Sequence, residues 1–124
     1  MLGQYPIVAF VLTNDPARAR TFYAETLGLE FGGEDDFALV FNANGNMLRV
    51  VKARSHVPAQ HTVLGWSVPD VATATARLSK VGVVFERYSF LEQDEAGIWT
   101  APGGSAKVAW FKDPDGNVLS ISQH

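Results

Sequence analysis

Ile7-Val8-Ala9-Phe10-Val11-Leu12-Thr13, followed by Asn14-Asp15-Pro16, is the stretch on which the fold turns, because the chain writes it twice. The β-branched and aromatic run reads as a largely buried strand. Asp15 stands where a helix N-cap belongs, its carboxylate able to accept from a free backbone N–H. Pro16 loses nothing at the first helical position. Ala19, Phe22, Tyr23 and Leu27 follow at helical spacing, and Gly28 supplies a left-handed stop. The second copy has Val63-Leu64-Gly65-Trp66-Ser67-Val68 as its strand and Asp70 as its cap. Val71, Ala74, Leu78 and Val81 mark its helix, and Gly82 its stop. Asp15 and Asp70 stand 55 positions apart, as do Val8 and Val63.

After each helix the pattern changes to short extended runs. These are 29–32, 37–42 and 47–52 in the first half, and 83–90, 107–112 and 118–122 in the second. Asn42-Ala43-Asn44-Gly45-Asn46 and Asp113-Pro114-Asp115-Gly116-Asn117 separate them, with Asn-Gly and Asp-Gly supplying the positive φ of tight hairpins. Each half therefore reads β-α-β-β-β. We expect a single domain with module 1 at about 5–53, a linker at about 54–61 and module 2 at about 62–124. Residues 91–106, with Pro102, Gly103 and Gly104, are expected to form a long, mobile loop. One such unit covers one sheet face with its helix and leaves the other open. The predicted fold is α+β: two βαβββ modules forming a curved mixed sheet, helices outside, with a concave cleft suited to a small molecule.

Composition narrows the function. The 124 residues include no cysteine, which removes disulfides, thiolate metal sites and a cysteine nucleophile. The formal net charge is −3 with no basic footprint, so no nucleic-acid partner is expected. Ile7–Leu12 is too short to span a bilayer and lacks the flanks of a signal peptide, so we expect a soluble cytoplasmic protein and no membrane partner.

Three segments carry a family resemblance. They are Asp15-Pro16-Ala17-Arg18-Ala19-Arg20-Thr21-Phe22-Tyr23 with Leu27-Gly28-Leu29; the strand, Asp70, helix and Gly82-Val83 succession; and Trp110-Phe111-Lys112-Asp113-Pro114-Asp115-Gly116-Asn117. The whole chain resembles the vicinal oxygen chelate superfamily, which includes glyoxalase I, bleomycin-resistance proteins and extradiol dioxygenases. The resemblance implies the paired-module fold. For the enzymes, it also implies a divalent metal held by His, Gln or Glu from the first and last strand of each module. The corresponding positions are Val8, Arg49, Val63 and Ser120. Two are hydrocarbons, Arg49 repels a cation and Ser120 alone is a poor ligand. We expect no divalent metal and no other cofactor, which disfavours glyoxalase I and extradiol dioxygenase activity. His56, His61 and His124 lack partners at ligand spacing, although His61 shares strand parity with Val63.

Strand alternation then proposes what lines the cleft. Phe10, Leu12, Gly65 and Ser67 share a face with Val8 and Val63. Met47 and Arg49 share one on the next strand, as do Val108 with Trp110 and Val118 with Ser120. Ala9, Val11, Leu64, Trp66 and Val68 should pack under helices, and Phe111 in the core. The candidate ligand-binding residues are Phe10, Leu12, Met47, Arg49, Val63, Ser67, Tyr88, Trp99, Val108, Trp110 and Ser120. Each has a structural alternative: Phe10, Leu12 and Trp110 as core, Arg49 in an ion pair with Glu30, Glu34 or another carboxylate. As a ligand anchor, Arg49 would suit a carboxylate, phosphate or phenolate. Tyr88 and Trp99 would cap a ligand by stacking. The acidic residues Glu30, Glu34, Asp35, Asp36, Glu92, Asp94 and Glu95 are expected to be solvated in turns.

No catalytic residue set is visible. The expected function is metal-independent binding of a small organic molecule, such as a drug or an aromatic or anionic metabolite. The alternatives are an enzyme of the same superfamily (lyase, isomerase or dioxygenase-like) with a non-standard metal site, and a structural or regulatory module with a vestigial cleft. Open edges and apolar faces further predict a homodimer.

Overall fold

A computed structural model describes residues 1–124. The chain divides into two compact units, Met1–Pro58 and Ala59–His124. In the first, β1 (Val8–Thr13) leads into α1 (Pro16–Arg20) and a wide π-type turn at Thr21–Thr26. Strands β2 (Glu30–Glu34), β3 (Ala38–Ala43) and β4 (Asn46–Lys52) follow. The sheet order is β1-β4-β3-β2, with β1 parallel to β4 and the other pairs antiparallel. The second unit has β5 (Thr62–Ser67), α2 (Val71–Lys80), β6 (Trp99–Thr100), β7 (Lys107–Lys112) and β8 (Val118–Gln123). Its order is β5-β8-β7-β6, again with the first pair parallel. Two mixed four-stranded sheets with few helices make an α+β architecture. No helix is long and apolar enough to cross a membrane.

The punctuation read from the sequence explains the element ends. Asp15 accepts from the Arg18 N–H at 3.2 Å, and Asp70 accepts from Ala72 and Thr73 at the start of α2. Asn44 and Gly45 take φ of 52° and 89°, as a two-residue hairpin between β3 and β4 requires. Asp113 and Asn117 are buried and organise the last turn. Asp113 Oδ1 accepts from the N–H groups of Asp115 and Asn117, and its Oδ2 from the Asn117 amide. These three bonds hold the turn in shape.

Each sheet buries mainly one face, and on the other only Ala38, Val118 and Ser120 are buried. In the first unit Val11, Leu39, Phe41, Leu48 and Val50 are buried together with Ala19 and Tyr23. The π-type turn widens the helix where Tyr23 enters this core: Leu27 N–H reaches the Phe22 carbonyl, five residues back, at 2.9 Å. In the second unit Ala109, Phe111, Leu119 and Ile121 are buried with Val71 and Thr75 of α2. The cores match row for row. Phe41 lies beside Leu48 and edge-on to Phe31; Phe111 lies beside Leu119 and edge-on to Phe85.

Three expectations are corrected. The extended run expected over 83–90 reduces to one bridge, Phe85 with Phe111. The stretch expected as a bare loop over 91–106 instead contains β6, which pairs Trp99 with Val108 and Thr100 with Lys107. The cause is local hydrogen bonding that turns the chain away from β7 after Glu86 and returns it at Trp99. Val81, read as helix face, falls just beyond α2 and is exposed, because Gly82 at φ 94° stops the helix there.

Candidate functional site

Because register fixes which side chains share a face, the open face of each sheet can be read in rows. In the first unit the rows are Val8–Met47–Asn42, Phe10–Arg49–Val40 and Leu12–Val51–Ala38. Phe10 is 60% exposed, and Val8, Leu12 and Met47 are exposed as well. Phe10 and Leu12 are therefore not core. A hollow of about 240 Å³ lies at the hairpin end, lined by Gly32, Val40, Phe41, Asn42, Gly45, Asn46 and Met47. The bulge in β2 between Phe31 and Gly33 puts Gly32, without a side chain, at its wall.

Arg49 is the single cation in these rows, and it is paired. Its Nη2 lies 3.1 Å from Asp35 Oδ2. Asp35 is fixed in turn by the Phe37 and Ala38 N–H groups, each at 2.8 Å. Those backbone donors first, then the guanidinium, hold its carboxyl below the ordinary carboxylate range. Beside it Lys52 pairs with Glu34. The ion pair considered for Arg49 is thus made with Asp35, a carboxylate other than Glu30 and Glu34, and Glu34 serves Lys52 instead. The sequence could not choose among the neighbouring acids because the choice depends on the turn at Asp35–Phe37.

The open face of the second unit has rows Ser67–Ser122–Val108–Trp99, Gly65–Ser120–Trp110 and Thr62–Val118–Lys112. Hydroxyls occupy the β5 and β8 side, and aromatic rings the β7 and β6 side. Trp110 is the centre of the aromatic part. Its ring centroid lies 6.2 Å from Trp99 and 5.7 Å from Tyr88, and Tyr88 lies 5.5 Å from Phe90. The Trp110 indole N–H donates to Thr62 Oγ1 at 3.0 Å, which fixes the ring's orientation. Burial, then the charge of Glu86, raises the Tyr88 pKa, so the phenol stays neutral. Ser120 is 9% exposed, and Ser122 shares a hydrogen bond with the His124 ring at 3.0 Å. Val63 sits at a register shift in β5, between Thr62 and Leu64, and is partly exposed.

The loop that delivers Tyr88 and Trp99 is built on Gln93, which sequence reasoning missed. Its side-chain oxygen accepts from the Tyr88 N–H at 2.8 Å. Its amide nitrogen donates to the Glu86 and Gly97 carbonyls at 2.9 and 2.8 Å. Arg87 adds bonds to the Asp94 and Glu95 carbonyls, and Asp94 Oδ1 accepts from Ala96 and Ile98. Only Gly97, at φ 91° and against Phe85, hints at this tight return in the sequence.

The donor set for a metal can now be tested. Register makes Arg49 and Ser120 equivalent, because each follows the matched core residue, Leu48 or Leu119, by one position. Val8 and Val63 offer no donor atom, the Arg49 guanidinium repels a cation, and one neutral serine hydroxyl binds weakly. The four residues do not fit the metal that the resemblance implies. His61 is exposed before β5, and no three His, Cys, Asp or Glu side chains converge anywhere in the chain.

A family model of the Glyoxalase/Bleomycin resistance protein/Dioxygenase superfamily matches residues 6–121. The chain belongs to this superfamily. Solved structures with the superfamily fold include a member from Sphaerobacter thermophilus, 21% identical, with TM-score 0.75 and 97% of each chain covered. Another is an integron cassette protein from the Halifax Harbour sewage metagenome, 19% identical, with TM-score 0.74 and 98% and 99% coverage. A third is the lactoylglutathione lyase of Agrobacterium tumefaciens, 16% identical, with TM-score 0.73, covering 96% of this chain and 92% of that one. At such identities the likeness establishes the superfamily fold alone. No curated protein matches the sequence.

Proposed function

We propose that this superfamily member binds a small organic molecule on the open faces of its sheets, without a resident divalent metal at Val8, Arg49, Val63 and Ser120. The observation that carries the reading is the state of Arg49. At a position where a metal ligand is expected, a guanidinium is oriented by Asp35 among Phe10, Val40 and Met47. The guanidinium donors that Asp35 leaves unused suit ligand recognition amid apolar surface, and no guanidinium nitrogen offers a lone pair to a metal ion. The exposed apolar rows and the aromatic cluster supply contact area for a ligand.

Metal analysis of protein purified with and without added Zn, Ni, Mn and Fe tests the proposal. The expected content is far below one equivalent. Stoichiometric metal that is lost on Arg49→Ala or His61→Ala overturns it. Pairing of two copies belongs to the same proposal, since exposed Ile7, Phe37 and Val84, outside the ligand rows, are the kind of surface a partner covers. A monomeric mass at micromolar concentration counts against that part.

A further inference from the structure

We infer that the second unit's open face takes a planar, uncharged aromatic ring system, seated on Trp110 and Trp99 and hydrogen-bonded at its edge by Ser120. This rests on the small-molecule reading above and names the ligand class for one of the two faces.

Four observations converge. The first is a platform of flat rings already in mutual contact: Trp99, Trp110 and Tyr88. Ring faces attract other ring faces in offset or edge-on geometry beyond simple area burial. The indole centroids are 6.2 Å apart and their planes meet at 42°, so a fused two-ring ligand stacked on one indole meets the other at a tilt. The second is that the platform is held in place. Trp110 is tied through Thr62, Trp99 is strand-paired to Val108, and Gln93 clamps the backbone on either side of the loop. A pre-positioned surface loses less ordering entropy on binding.

The third is the Ser120 hydroxyl. It lies directly opposite Trp110 on the neighbouring strand and opposite Gly65 on the other side. It is nine-tenths buried, and no group of the protein hydrogen-bonds it. Gly65 makes room for it: a Cβ there would come within 2.5 Å of Ser120 Oγ. The hydroxyl oxygen still reaches the open face, so it is free to bond a ligand heteroatom. The fourth is charge. Lys112, the cation in these rows, is balanced by Glu86 at 3.5 Å, so the face offers no net charge to an anion.

The test is a titration of the full chain with quinoline, a flat neutral bicycle carrying an edge acceptor, followed by the indole N–H resonances of ¹⁵N-labelled protein. Trp66 is an internal control, because it lies on the opposite face of β5. Saturable shifts of Trp110 and Trp99 with a still Trp66 are expected. Trp110→Ala should weaken binding at least tenfold and Ser120→Ala about fivefold, while cyclohexanol, which is not planar, should give no saturable shift. If Trp110→Ala fails to fold, Trp99→Ala is read in its place. Shifts led by Trp66, or a larger loss from Phe10→Ala than from Trp110→Ala, overturn the inference. A silent quinoline titration beside saturable dodecanoate binding that Phe10→Ala weakens overturns it too, but leaves small-molecule binding standing. Silence toward both probes counts against both readings.

Discussion

The two units share strand order, core and the register of their central strand pairs, β3–β4 and β7–β8, and differ on the faces that their cores do not use. Leu48 matches Leu119, Phe41 matches Phe111, and Phe31 matches Phe85. One residue along, the row Phe10–Arg49–Val40 becomes Gly65–Ser120–Trp110. Bulk sits on β1 in the first unit and has moved to β7 in the second. The cation becomes a hydroxyl. The lesson is that a period of two lets buried and open rows vary independently, so a repeat can keep its fold while its two surfaces acquire different chemistry.

The largest expected effect tests the shared part. Phe41→Ala and Phe111→Ala should each cost about 3–5 kcal/mol in chemical denaturation, because both are fully buried rings. A clearly unequal pair of costs breaks the equivalence of the cores. Next comes the part that only the second unit has. Gln93→Ala removes three hydrogen bonds and should cost about 1–3 kcal/mol, with near-ultraviolet circular dichroism reporting loosened Tyr88 and Trp99. A variant with wild-type stability and spectrum would mean that the loop does not depend on this clamp.

A smaller effect is expected at Gly65. Gly65→Ala pushes on Ser120 and should cost about 1 kcal/mol, and most of that cost should vanish in a Ser120→Ala background. Additive costs would show that the strain lies in the backbone instead. Smallest is Asp35→Asn, which removes a depressed carboxyl from an exposed pair. The stability that Asp35 adds is present above the ordinary carboxylate pKa and fades as pH falls through its lowered value. Thermal unfolding of wild type and variant should therefore differ slightly at pH 7 and converge only below the usual carboxylate range. Convergence at pH 6 would show that Asp35 is not held as described.

The repeat was legible because caps and stops are local chemistry. Asp15, Asp70, Gly28 and the Asn44-Gly45 turn announce themselves in short windows. The open faces were legible too, since alternation places Phe10, Arg49, Trp110 and Ser120 once the strands are known. What was not legible is long-range or loop-built. Asp35 as the partner of Arg49 depends on a turn that only the folded backbone defines. The broken edge strand of the second unit depends on Gln93, a residue with no pattern around it. Its amide serves the chain before and after it, and nothing in spacing signals that.

That broken edge has a consequence for how the sheet meets other chains. A free strand edge invites pairing with a foreign strand and, from there, aggregation. The outer edge of β7 is occupied from two directions. Phe85 bridges Phe111, Glu86 N–H caps the Trp110 carbonyl at 2.8 Å, and Trp99 and Thr100 take the remainder. The loop that gathers the aromatic rings also seals this edge, leaving β6, two residues long, as the last strand. Shortening the loop would therefore expose a sticky sheet margin as well as scatter the aromatic rings, and loss of solubility would be its first symptom.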